Sequence, residues 1–127
     1  MKITIGSDHA GVDYKQKITK HLKKQNHKVK DVGTFGKDSV DYPDYAHLVS
    51  RDVSEQKSLG ILICGSGNGV SMAANKHKKI RAALCWNKET SKLARQHNDA
   101  NIISLPARFL SVKECIELVE VFINEPF

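Results

Sequence analysis

Cys64 stands directly before a glycine-rich run, Gly65-Ser66-Gly67-Asn68-Gly69, and this pairing is the most chemically specific feature of the sequence. Three glycines at alternate positions, set between a strand-like and a helix-like segment, let backbone N–H groups converge on one concavity. Such a nest binds an anion, either a phosphate or an oxyanion that develops during reaction. A thiol beside a helix N-terminus has its thiolate favoured by the positive end of the helix dipole, so Cys64 could act as base or nucleophile. The plain alternative is a small apolar side chain buried at a strand end. Two further segments carry titratable groups: Gly6-Ser7-Asp8-His9-Ala10-Gly11 and His97-Asn98-Asp99. Asp8 suits a helix cap as well as it suits chemistry. His97 falls on the helix face marked by Leu93 and Ala94, so packing at the surface is its alternative role.

Other chemistries fit less well. A dinucleotide fingerprint would place glycine where Val70 stands and would follow the first strand, where this chain has Ser-Asp-His; the P-loop lysine followed by Ser or Thr is absent. Asp8, His9, Cys64 and His97 contain no ligand pair at a recognised metal spacing, so no metal is expected. Cys64, Cys85 and Cys115 are an odd set without a C-x-x-C pair, which reads as free thiols in a reducing compartment.

The elements that must position these residues alternate: short β-rich runs with longer amphipathic stretches, the pattern of a parallel sheet with crossover helices. The pattern predicts strands over Lys2–Gly6, His27–Val32, Gly60–Cys64, Arg81–Cys85 and Asn101–Leu105. It predicts helices over Val12–Gln25, Tyr45–Gln56, Gly69–His77, Lys88–His97 and Ser111–Asn124, with a polar loop from Gly33 to Pro43. In the last helix Val112, Cys115, Ile116, Val119, Phe122 and Ile123 mark one buried face, which assigns Cys115 to the core. Ligands of open α/β sheets bind beyond the carboxyl ends of the strands. Asp8, His9, the Cys64 loop and the His97 turn are therefore expected on one edge of the sheet.

With 127 residues the chain fits a single domain, 1–127. No apolar run nears the roughly 20 residues of a membrane helix, and the N-terminus does not read as a signal peptide, so a cytoplasmic protein is expected. The net charge of +6 draws on lysines between Lys15 and Lys30, which interleave with apolar residues and read as a solvated helix face. Such a surface attracts anionic metabolites. A nucleotide- or RNA-binding module is the rival reading, although no RNA-reading aromatic motif is present.

Taken in order, these segments resemble the ribose/galactose isomerase family, which includes the type B ribose-5-phosphate isomerases and the galactose-6-phosphate isomerase subunits. The resemblance runs from Lys2 to about Phe127. It rests on the three segments quoted above together with Val32-Gly33-Thr34, Asp41-Tyr42-Pro43-Asp44-Tyr45, Ile61-Leu62-Ile63, Ala73-Ala74-Asn75-Lys76 and Ile80-Arg81-Ala82-Ala83-Leu84-Cys85. It implies a Rossmann-like three-layer αβα sandwich with a five-stranded parallel sheet, a homodimer with active sites at the subunit interface, no cofactor, and neither nucleic acid nor membrane as partner. It implies aldose–ketose isomerisation of ribose 5-phosphate and ribulose 5-phosphate in the pentose phosphate pathway, with allose 6-phosphate or galactose 6-phosphate as the alternative substrates.

It also implies roles. Cys64 would move the proton between C1 and C2, with Gly65, Gly67, Asn68 and Gly69 supplying amides to the enediolate. Ser66, at a position commonly threonine, would move a proton between the two oxygens. Asp8 and His97, from different subunits, would open the furanose ring, Tyr42 and Asn98 would line the sugar site, and His9 with Arg108 would bind phosphate. The family pattern continues with a Gly-Gly-Arg-His-x-x-Arg segment that grips phosphate, and this sequence ends at Glu125-Pro126-Phe127 without it.

Overall fold

The computed structural model describes residues 1–56 and 58–127. Five strands, β1 (Lys2–Ser7), β2 (Lys28–Asp31), β3 (Leu59–Cys64), β4 (Ala82–Leu84) and β5 (Ile102–Pro106), form one sheet. Its order is β2-β1-β3-β5-β4 and every pairing is parallel. Helices α1 (Val12–Lys24), α2 (Tyr42–Gln56), α3 (Asn68–Ala74) and α4 (Lys88–Gln96) make the crossovers, and α5 (Val112–Asn124) follows the last strand. The three-layer αβα sandwich expected from the sequence is what forms.

Alternation along the strands explains the layers, because successive side chains leave opposite faces of a sheet. Ile61 and Ile63 of β3 join Ile18 and Leu22 of α1, Ala94 of α4, and Val119 and Phe122 of α5 in one cluster. Leu62 and Cys64 point the other way, to Ala46, Val49 and Val53 of α2 and to Val70 and Ala74 of α3. The helix face of α5 is buried as its periodicity requires, with Cys115 fully enclosed.

The differences from the sequence-based boundaries have local causes. α2 starts at Tyr42 and not at Tyr45, since Pro43 is tolerated within a first helical turn where its missing N–H has no partner to lose. α3 stops at Ala74, short of His77. There Lys76 N and His77 N turn tightly onto the carbonyls of Ala73 and Ala74, at 3.2 and 3.0 Å. The Asn75 side chain meanwhile takes both backbone groups of Ala82, accepting from its N–H at 2.7 Å and donating to its carbonyl at 2.9 Å. This pins the start of β4, an edge strand shorter than expected. Lys15 corrects the picture of a wholly solvated lysine face. Its side chain is fully buried, pairs with Asp31 at 2.6 Å and lies 4.7 Å from the Phe35 ring centroid.

The sheet order reverses between β1 and β3. From β1 the chain winds outward to β2, and from β3 it winds the other way. The carboxyl ends of β1 and β3 therefore diverge around a crevice, the place where α/β sheets bind ligands.

Candidate active site

That crevice is a cleft of about 320 Å³. From β1 come Asp8 and His9, from β3 and its loop Cys64, Gly65, Ser66 and Gly69, from the start of α2 Tyr42, and from the end of β5 Arg108 and Phe109. A cleft of about 460 Å³ beside Lys2, Thr4 and Asp52 is larger, so size does not single out the first one. Its chemistry does: a thiol, an imidazole, a carboxylate and a guanidinium line one concavity.

Cys64 ends β3 facing the α2–α3 layer and is 6% exposed. Gly67 N donates to its Sγ at 3.1 Å. Burial pushes the thiol above its ordinary value of 9.0, the amides of Val70, Gly67 and Ser66 pull it back down, and the Asp8 carboxylate adds a smaller upward push. The net direction is upward, which corrects the expectation that the helix dipole alone decides the matter. Desolvation wins. The loop does supply a backbone donor at this point, and the group that Gly67 N reaches is the sulfur.

The glycines are there for space and backbone shape. Gly67 has φ +77 and heads α3, a conformation that side chains rarely adopt. A Cβ on Gly69 would lie 2.6 Å from the Tyr42 ring, so only glycine lets that ring close against the loop. Gly65 leaves room for Arg108, whose Nε would lie 3.0 Å from a Cβ there. The Arg108 backbone is tied to the same loop, its N–H donating to Gly65 O at 3.0 Å. Ser66 Oγ accepts from Asn68 N at 3.2 Å. Gly67 and Asn68 thus shape the loop without lining the cleft, and the Asn68 side chain is exposed.

Asp8 is both cap and cleft wall. Its Oδ1 accepts from Ala10 N and Gly11 N at 3.0 and 3.2 Å, heading the short turn that precedes α1. Val40 N donates to His9 Nδ1 at 3.4 Å. With Nδ1 as acceptor, the proton of a neutral His9 sits on Nε2, which is then a hydrogen-bond donor.

His97 and Asn98 are elsewhere. α4 runs from the end of β4 back toward the start of β5, so its C-terminus lies at the amino edge of the sheet, opposite the cleft. Asn98 lines a different hollow there, with Asn75, Arg81 and Ala100. The expectation that all three segments share one edge is therefore wrong for a single chain: strand ends and the ends of helices that return to the next strand have opposite polarity. Phe109, which the sequence reading passed over, is 59% exposed at the cleft rim, its ring centroid 5.0 Å from that of Trp86. Its signal was position, directly after the fifth strand and next to Arg108.

Among the described residues no three His, Cys, Asp or Glu side chains gather as a metal site requires, and no helix is long and apolar enough to cross a membrane. Fold and cleft define an α/β protein with a thiol held by backbone amides at a sheet switch point, flanked by groups suited to an anion.

Comparison with known proteins narrows this class. The family model described as Ribose/Galactose Isomerase matches residues 3–127. The probable ribose-5-phosphate isomerase B of Mycoplasma pneumoniae is 47% identical, over 98% of this chain and 84% of that protein. The ribose-5-phosphate isomerase B of Clostridium thermocellum superposes with a TM-score of 0.98 at 44% identity, covering 100% of this chain and 86% of its own. That of Mycoplasma genitalium, solved with bound ribulose-5-phosphate, gives 0.95 at 44% identity, covering 99% and 85%. The chain belongs to the ribose/galactose isomerase family.

Proposed function

We propose that this chain interconverts ribose 5-phosphate and ribulose 5-phosphate, without a cofactor, through an enediolate. The observation that carries the reading is the buried Cys64 sulfur accepting from Gly67 N at 3.1 Å at the switch point, in a chain 47% identical to a probable ribose-5-phosphate isomerase B. Moving a proton between carbons beside a carbonyl needs a base at the carbon and donors aimed at the oxygen that becomes negative. The Cys64 thiolate takes the proton from C2 of the open aldose. A proton passes from O2 to O1 by way of Ser66 Oγ, and the Cys64 thiol returns its proton to C1, leaving the ketose. Amides of Gly65 and Gly69, the loop glycines that line the cleft, hold the enediolate oxygens. A base whose pKa lies above the ambient pH is scarce in its active form but strong when formed, which is the compromise that burial sets at Cys64.

His9, through Nε2–H, and Arg108 receive the phosphate, and Tyr42 walls the sugar. Ribose 5-phosphate is mostly a furanose, so the ring must open first. Asp8 and His97 share that acid–base work, and Asn98 lines the sugar. His97 and Asn98 lie at the opposite edge of their own chain, so they act in the cleft of a second copy, and the working unit is a homodimer with two shared sites. The substrate places the enzyme in the pentose phosphate pathway. The family description also names galactose, which makes galactose 6-phosphate one comparison substrate; allose 6-phosphate, a second six-carbon aldose phosphate, is the other.

The test is turnover of ribose 5-phosphate by the parent and by Cys64→Ala, beside both six-carbon phosphates. Pentose turnover in the parent, lost in the variant, is the expected result. Cys64→Ala turning over at the parent rate overturns the assignment of the base, and a preference for a six-carbon phosphate overturns the assignment of the substrate.

A further inference from the structure

We infer that Arg81 is a positioning residue: its guanidinium holds the turn that presents His97 and Asn98 to the neighbouring subunit's cleft. This rests on the shared-site reading above. Between the end of α4 at Gln96 and the start of β5 at Ile102 the chain must reverse direction, and Asp99 does so with φ +47. The last carbonyls of a helix and the turn beyond it lack intrahelical donors. Two arginines supply them. Arg81 Nε donates to Asn98 O at 2.5 Å, and Arg95 Nη1 donates to Ala100 O at 2.5 Å. Both cations sit at the negative end of α4, where positive charge is favoured.

The two arginines do different work. Arg95 is largely buried, reaches Glu125 O at 3.1 Å beyond the end of α5, and packs against the Phe122 ring. It belongs to the joint between α4 and α5. Arg81 is exposed, and the bond to Asn98 O is the one its side chain makes among the described residues. Its backbone is anchored separately: Arg81 N donates to the Asn101 side chain at 2.9 Å, and Arg81 O accepts from Asn101 N at 3.0 Å. A fixed base with one exposed hydrogen bond contributes little to folding. What it determines is the orientation of the peptide that follows Asn98, and with it the reach of His97 and Asn98. Misplacing a catalytic group by about 1 Å can cost up to ~10²-fold in rate.

Arg81→Met is therefore expected to lower kcat by about ten- to a hundredfold, with KM and melting temperature little changed and Arg81→Lys recovering part of the loss. The decisive readout is hybrid dimers, co-expressed with two different tags and purified as heterodimers. Cys64→Ala paired with His97→Asn serves as reference, because it leaves one intact site if sites are shared. Arg81→Met paired with Cys64→Ala should also restore an intact site and rise well above either homodimer. Arg81→Met paired with His97→Asn should stay at or below the Arg81→Met homodimer. The reverse pattern would place Arg81 with the cleft of its own chain, and an unaffected kcat in Arg81→Met would remove its role; either overturns the inference alone. If the reference heterodimer itself shows no recovery, the shared site fails and the inference with it.

Discussion

The two edges of the sheet carry different kinds of machinery. At the carboxyl edge, the ends of β1, β3 and β5 build a cleft whose thiol is 6% exposed and accepts from Gly67 N at 3.1 Å. At the amino edge, the His97–Asn98 turn is exposed and braced from behind by Arg81 and Arg95. Cleft and turn lie at opposite edges of the sheet of each chain, which is why the proposed function assigns them to one site only across two copies.

Removing the base should have the largest effect. Cys64→Ala is expected to lower kcat by on the order of 10³-fold or more, general acid–base groups being worth roughly 10²–10⁴, while the melting temperature stays close to the parent's. Because burial and Asp8 raise the thiol pKa, the thiolate fraction grows with pH. kcat/KM should therefore climb between pH 7 and pH 9; a flat profile would show that the thiol is already ionised. His97→Asn, at the other edge, should cost on the order of 10²-fold without changing phosphate affinity, measured by inorganic phosphate inhibition. A large loss of phosphate affinity would move His97 from ring opening to phosphate binding.

Gly69→Ala should have a smaller effect, on the order of tenfold in kcat/KM, by driving Tyr42 off the loop. The added Cβ would meet that ring at 2.6 Å. Pairing it with Tyr42→Ala relieves the clash, so the two substitutions should be strongly non-additive. The smallest effect separates thiols within the carboxyl half. Cys85 is pushed up to about 11 and Cys115 to about 12 by burial, with no set of loop amides drawing them back. Iodoacetamide at pH 8 should then modify Cys64 first, by peptide mapping, with activity lost in parallel.

Much of the fold was legible because local pattern and global architecture agree. The alternation along β3 and the periodic face of α5 each point to the layer they occupy. Eight of the residues picked out by sequence and resemblance, from Asp8 to Arg108, line the cleft together. What sequence did not reveal has physical causes. Lys15 has the composition of a solvated lysine, and only the distant Asp31 and Phe35 make its burial tolerable. His97 was assigned to the wrong edge because adjacency to a helix end says nothing about direction unless the path from β4 to β5 is traced. Phe109 lacks a titratable group and gains its place at the cleft rim through contact with Trp86.

The central claim is that cleft and turn from different chains make one active site. Its most direct test is ribose 5-phosphate turnover by purified heterodimers of Cys64→Ala and His97→Asn, each nearly inactive alone. One subunit then contributes an intact cleft and the other an intact turn, so activity should return to about half of the parent dimer's, one site of two. Heterodimers as inactive as the two parents would contradict the account and require His97 to act within its own chain.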